Sequence, residues 1–156
     1  MTSDRRRVLP TREQLRVWRN YIETAEVLRT RLGSRLQADT SLSSGDYQVL
    51  LALSESEPKS VRPSELATQI GWERSRLSHH LGRMAKRGLI ERNSCANDVH
   101  GVEVSITETG EKAFRSASVP HLRAVRELFL DALSPEQLAH VDDLTVTLRR
   151  HLGLTP

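Results

Sequence analysis

A single cysteine, Cys95, stands among 156 residues, so no intramolecular disulfide framework can hold the fold. Aromatic side chains are nearly as scarce. Two Trp, two Tyr and two Phe make up 4% of the chain, which leaves little to furnish a pocket for a planar ligand. No apolar run approaches the roughly 20 residues that a membrane span requires. The basic opening from Met1 to Arg7 is not followed by the apolar core of a signal peptide. The chain is therefore expected in the cytoplasm, with no membrane partner. The glycines are single and mostly fall at helix ends or turns, so no phosphate-cradling loop is present, and no nucleophile, base and oxyanion arrangement appears. An enzyme is not expected. The His residues lack ligand spacing: His79 and His80 are adjacent and would point about 100° apart on a helix. Neither a metal nor another cofactor is expected.

What the chain does have is a local excess of positive charge. Against a net charge of +3, the segment from Arg74 to Ile90 carries five Arg or Lys residues (Arg74, Arg76, Arg83, Lys86 and Arg87) and two His, with no Asp or Glu. Such a concentration on one element suits a polyanion, and double-stranded DNA is the obvious one.

The order of elements around that charge makes it interpretable. Ser64 can cap a helix whose apolar residues Leu66, Ala67 and Ile70 point inward, and Gly71 can close it in the left-handed conformation. A second helix follows, with Leu77, Leu81 and Met84 recurring at i, i+4 and i+7 as its buried stripe. Opposite that stripe lie Ser75, His79, Gly82, Arg83 and Lys86, with Arg76 and Ser78 on the flanks. Arg can bind guanine edges bidentately, while Ser and His can donate to phosphates or bases. Gly82 leaves the backbone bare near the middle of this face. Gly88 ends the helix, and Leu89 to Asn93 begin a hairpin whose second strand alternates Val102, Val104 and Ile106 with Glu103 and Ser105. Its polar connection, Ser94 to Gly101, is long enough to form a wing that reaches a minor groove.

These residues resemble the MarR family of winged helix-turn-helix transcriptional regulators. The pattern is SELA at Ser64 to Ala67, then SRLSHHLGRM, a basic pair and GLI, then Asp98, then ITETG at Ile106 to Gly110. With its flanking helices the resemblance covers nearly the whole chain. It implies a mainly α fold with a small β-hairpin wing, and a homodimer that binds a palindromic operator, usually as a repressor. It also implies release by a small, often aromatic or phenolic, effector. On the matching positions, Ser75, Arg76, Ser78 and His79 face the groove. Ser64, Arg74, Arg83, Lys86 and Arg92 complete the expected DNA-binding set, and Asp98 fixes the wing. The usual wing arginine is His100 here, a shorter side chain with an ordinary pKa near 6.5. Its minor-groove contact is therefore weakened, pH-sensitive or taken over by Arg92. The family's peroxide sensors place their cysteine near the N-terminus, so Cys95 does not match a redox switch.

Apolar stripes continue at both ends. Leu15, Trp18, Ile22, Ala25, Leu28, Leu32 and Leu36 recur at threes and fours. After a loop from Ala38 to Leu42, Ser43 or Ser44 can cap a helix carrying Tyr47, Leu50 and Leu51. Ala113, Phe114 and Ala117 begin another that meets Pro120, where proline should kink or interrupt the pattern, so a bent helix is expected rather than a straight one. Ser134, Pro135 and Gln137 announce the last helix, followed by Leu138, Val141, Leu144, Leu148 and Leu152. So small a lobe offers the terminal stripes little to fill, so they read as a dimer interface, in keeping with the modest hydrophobic fraction of 37%. The chain is expected to form one domain, residues 1–156. Dimerisation helices occupy about 1–36 and 112–156, and the DNA-binding lobe about 43–110. Trp18, Tyr21, Tyr47 and Trp72 are the candidate effector contacts, with Arg16, Arg19 or Arg74 near enough to hold a planar anion. The alternative is a winged helix serving as a protein-interaction module. That role calls for apolar or acidic groups on the outward face, where this chain is cationic.

Overall fold

The computed structural model describes residues 9–94 and 101–154. Cys95, Asp98, His100 and the Met1 to Arg7 opening lie outside the described residues.

Helix α1 (Arg12–Asp39) starts at Thr11, whose hydroxyl accepts the Gln14 N–H while the Gln14 side chain accepts the Thr11 N–H. It runs to Asp39, past Ala38 where a loop was expected, and stops as the Thr40 hydroxyl donates to the Leu36 carbonyl. Only Leu36 of this helix is buried. Helix α2 (Ser44–Glu55) takes Ser43 as its cap and Asp46 as the reciprocal partner, and it sends Val49, Leu50 and Leu53 into the core. Strand β1 (Ser60–Val61), too short to leave a periodic signal, precedes α3 (Pro63–Ile70).

Ser64 does not cap α3. The N-cap is Arg62, with Pro63 at the first helical position, so Ser64 sits inside the first turn and no side-chain cap bond forms. The fixed φ of proline pre-organises helix entry and its missing N–H is an orphan there anyway. That moves the start ahead of the serine. Gly71, at φ 70°, closes α3 as expected.

Helix α4 (Arg74–Lys86) buries Leu77, Leu81 and Met84. It is followed by β2 (Ile90–Ser94) and β3 (Val102–Ile106). The sheet order is β1-β3-β2, all antiparallel, with Val61 and Arg92 both opposite Val104 and Ile90 opposite Ile106. Val104 is fully buried but Val102 is exposed. The alternation therefore serves the core only at the end of the hairpin that abuts the helices, because the other end extends beyond it.

Helix α5 (Glu108–Leu128) begins at Thr107, whose hydroxyl accepts the Gly110 N–H and donates to the Gly88 carbonyl. The helix continues through Pro120 without interruption and ends at Phe129, before a single 3₁₀ turn, Leu130–Ala132. Proline removes the N–H that would bond the carbonyl of Ser116, and Ser116 is exposed, so water can serve that carbonyl. Helix α6 (Pro135–His151) carries the expected box of Ser134, Pro135 and Gln137.

The core draws on every element of the lobe: Leu50 and Leu53 from α2, Leu66 from α3, Leu81 and Met84 from α4, Val104 from β3 and Ala117 from α5. This is a winged helix-turn-helix flanked by long terminal helices. No residue of α6 is buried. No described helix is long and apolar enough to cross a membrane.

Candidate nucleic-acid interface

The turn between α3 and α4 is fixed by backbone bonds at its Gly71 corner. The Trp72 N–H donates to the Ala67 carbonyl at 2.9 Å, and Gln48 of α2 donates its side-chain amide to the Ile70 carbonyl at 3.2 Å. The last carbonyls of α3 are thereby satisfied, and α4 leaves at a defined angle. Its buried stripe then forces Arg74, Ser75, Arg76, Ser78, His79, Arg83 and Lys86 outward, where all are exposed.

These exposed groups are not equivalent. Arg74 and Lys86 have no ion-pair or side-chain hydrogen-bond partner among the described residues. Arg76 lies over the Trp72 ring, with its guanidinium carbon 4.0 Å from the centroid, a cation–π contact that holds the side chain in place. Arg83 reaches Nδ1 of His80 at 3.0 Å. A methyl group on Gly82 would meet nothing within 4 Å, so the protein's own packing does not require glycine there.

Two clefts flank α4. One, about 490 Å³, brings together Ser64, Arg74 and Ser75 with Thr68 and Trp72. The other, about 320 Å³, joins Ser78 of α4 to Arg92 of β2. Arg92 donates to the Ser78 carbonyl at 3.0 Å and so ties the wing's first strand to α4.

Arg87 is a different case. It belongs to the basic run by sequence but is spent internally, donating to Oδ2 of Asp46 at 2.7 Å and to the Ser41 carbonyl at 2.8 Å. Asp46 is buried, at 1% exposure. Its burial alone would raise the carboxyl pKa. Hydrogen bonds from His80, the Ser43 N–H and Arg87, together with the Arg87 charge, outweigh burial and hold it well below the usual carboxylate range. Sequence reasoning missed this residue. Its spacing from Ser43 explains it fully as a capping-box partner, and the pairing to α4 spans too many residues to leave a local signal.

The four aromatic effector candidates do not converge. Tyr47 is buried at 8% exposure against Phe114 and His121, and Trp72 packs edge-on against His80 beneath α4. Trp18 and Tyr21 remain exposed on α1. Tyr21 alone reaches a cavity of about 570 Å³, lined mainly by apolar groups including Leu28, Leu128, Phe129, Val141 and Leu144, with Arg31 at its edge. Among the described residues no group of His, Cys, Asp or Glu is arranged to hold a metal ion.

Residues 40–98 match the profile of the MarR family. The fold is shared with the crystal structure of AbsC, a MarR family transcriptional regulator from Streptomyces coelicolor. That protein is 35% identical, with 92% of this chain and 97% of the other covered and a TM-score of 0.84. Sco3205, a MarR family regulator from the same organism crystallised in complex with DNA, is 34% identical, with 95% of each chain covered and a TM-score of 0.86. The transcriptional repressor MprA of Escherichia coli strain K12 is 28% identical over 106 residues, which is 68% of this chain. The match spans only 60% of MprA's length.

Proposed function

The chain belongs to the MarR family of transcriptional regulators, and from that premise we propose that it is a homodimeric repressor that binds a palindromic operator and is released by a small ligand. The observation that carries the DNA-binding part is the outward face of α4. It presents Arg74, Arg76, His79, Arg83 and Lys86 to solvent, beside two clefts that bring in Ser64, Ser75, Ser78 and Arg92. The DNA complex of Sco3205 supports the same reading.

Ser75, Arg76, Ser78 and His79 would face the major groove, with Arg74, Arg83, Lys86 and Ser64 at its borders. Arg92, tied to α4, would steady the base of the wing rather than reach alone into the minor groove. Dimerisation is supported by the apolar residues left exposed on the terminal helices: Trp18 and Ile22 on α1, Leu122 on α5, and Leu144 and Leu148 on α6. A two-fold pairing would set the two α4 helices about 34 Å apart, one turn of B-DNA. The MprA likeness supports repression. The apolar cavity beside Tyr21 and Arg31 is where a small organic anion would fit.

The test is a salt-titrated anisotropy assay of the purified chain on the DNA upstream of its own gene, with a scrambled duplex alongside and a selection of genomic fragments for any distant site. Selective binding that weakens steeply with salt is the expected result. A folded dimer that selects no DNA from the genome would overturn the reading and leave the interaction module.

A further inference from the structure

Three capping boxes begin helices among the described residues, and two of them are ordinary. The partner residues Gln14 and Gln137 are exposed, and each side chain serves its own cap. Asp46, the third, is buried under α4. Its side chain is 2% exposed and accepts three hydrogen bonds: from the Ser43 N–H at 2.9 Å, Arg87 at 2.7 Å and His80 Nε2 at 3.0 Å. A helix cap needs only the first of these. Removing a carboxylate from water is costly, so the burial calls for a role beyond the cap.

We infer that Asp46, through His80, is the positioning residue that aims Arg83 on the outward face of α4. The inference rests on the reading of that face as the DNA contact.

The geometry runs in one direction. A carboxylate can only accept and a guanidinium can only donate, so the bonds to Asp46 and Arg83 together require the ring proton of His80 on Nε2 and a lone pair on Nδ1. That lone pair accepts from Nη2 of Arg83 at 3.0 Å. The imidazole is also gripped from the side. Trp72 meets it edge-on, with ring centroids 5.2 Å apart and planes at 87°. Below lies Gly45, where an added Cβ would stand 2.8 Å from Cε1 of His80 and 2.9 Å from Cη2 of Trp72. The glycine of α2 is thus the seat on which both rings rest, and Asp46 beside it fixes the tautomer. Arg83 emerges with its guanidinium already oriented, so less side-chain freedom is lost when it binds. Arg74 and Lys86 have no such anchor.

The test is a double-mutant cycle on the full chain with its selected operator, each variant checked for fold by circular dichroism. Arg83→Ala should weaken binding about tenfold in the wild-type background. In a His80→Phe background, which keeps a ring against Trp72 but loses both hydrogen bonds, Arg83→Ala should add no more than about twofold. The same loss in both backgrounds would overturn the inference. A purely structural role for His80 would not move that coupling. A second readout needs no variant: the ¹⁵N shifts of His80 in the wild-type protein should report a protonated Nε2 and a bare Nδ1. The opposite tautomer, or rapid averaging of the two, would overturn the inference even where His80→Phe fails to fold. Wild-type protein without selective DNA binding defeats the regulator reading, whereas selective binding with additive losses defeats this inference alone.

Discussion

Leu81 and Leu144 are both leucines on the apolar stripe of a helix, yet Leu81 is fully buried and Leu144 is 47% exposed. The difference separates the winged lobe from the terminal helices. In the lobe, α2, α3, α4 and the sheet close around one another, and each fully buried Leu contributes roughly 1.5–3 kcal/mol relative to exposure. On α6 the same kind of stripe stays largely exposed, with Val141 and Leu144 only lining an open apolar cavity beside Leu28 of α1 and Leu128 of α5. The lobe buries its apolar stripes within the protomer, whereas those of the terminal helices stay exposed and would be covered only in the proposed dimer. Exposed apolar surface at that scale marks an interaction site.

The largest expected effect breaks the second region alone. Ending the chain after Leu133, and so deleting α6, should give a soluble monomer whose operator affinity falls by about 100-fold or more, since the two half-sites are no longer joined. A truncated monomer that binds as tightly as the full chain would dissolve the distinction.

Paired leucine substitutions sharpen it. Leu81→Ala should destabilise by about 2–5 kcal/mol and lower the melting temperature at every protein concentration. Leu144→Ala should instead lower it in a concentration-dependent way, because the burial it removes would exist only in the proposed dimer. Calorimetry over a dilution series distinguishes the two patterns.

Next in size is the readout face. Arg76→Ala should cost about 1–3 kcal/mol at the operator and relax base preference if the side chain reads a base. Equal weakening on every duplex would make it a phosphate contact. Gly82→Ala should act in opposite directions on stability and binding. It should raise protein stability by roughly 0.5–1 kcal/mol through helix propensity, since nothing in the protein opposes a methyl there. It should also weaken DNA binding by crowding the approaching backbone. Gel shifts and thermal melts of one preparation report both, and unchanged affinity would remove Gly82 from the interface.

The smallest effect lies where the two regions meet. His121 of α5 packs against Tyr47 of α2 with ring centroids 4.3 Å apart and planes tilted by 45°. Its Nδ1 is buried without a hydrogen-bond partner among the described residues. Burial lowers its pKa below the ordinary value, so the folded state favours the neutral ring. Its stability contribution is full above about pH 6.5, the ordinary His value, and is lost as the pH falls through the lower folded value. Melting curves at about pH 7.5 and pH 5.5 should therefore lie slightly further apart in the wild type than in His121→Phe; an equal gap would contradict the assignment.

What the sequence made legible follows the same divide between local and distant causes. Gly71, the box of Ser134, Pro135 and Gln137, and the stripe of Leu77, Leu81 and Met84 act within a turn or two of themselves. Each was readable and each formed. Ser64 does not cap α3 because Pro63 beside it starts the helix earlier, and α5 runs on through Pro120 because the carbonyl of Ser116, left without its usual N–H, falls on an exposed position where water is available. Strand β1 was not legible, since a strand formed by Ser60 and Val61 exists only through its pairing to β3. In the candidate interface, the outward side chains of α4 followed directly from helix periodicity. The partners that hold them did not. Arg87 joined the cationic count until Asp46, 41 positions away in sequence, neutralised it, and Tyr47 and Trp72 became ring-packing residues of the lobe through contacts that no spacing reveals.

The claim that the lobe is finished and the terminal helices are not is tested most directly by sedimentation equilibrium of the full chain over a wide concentration range in the absence of DNA. A mass of twice the chain, held down to low concentration, is the predicted result. A stable, soluble monomer with α6 intact would contradict it.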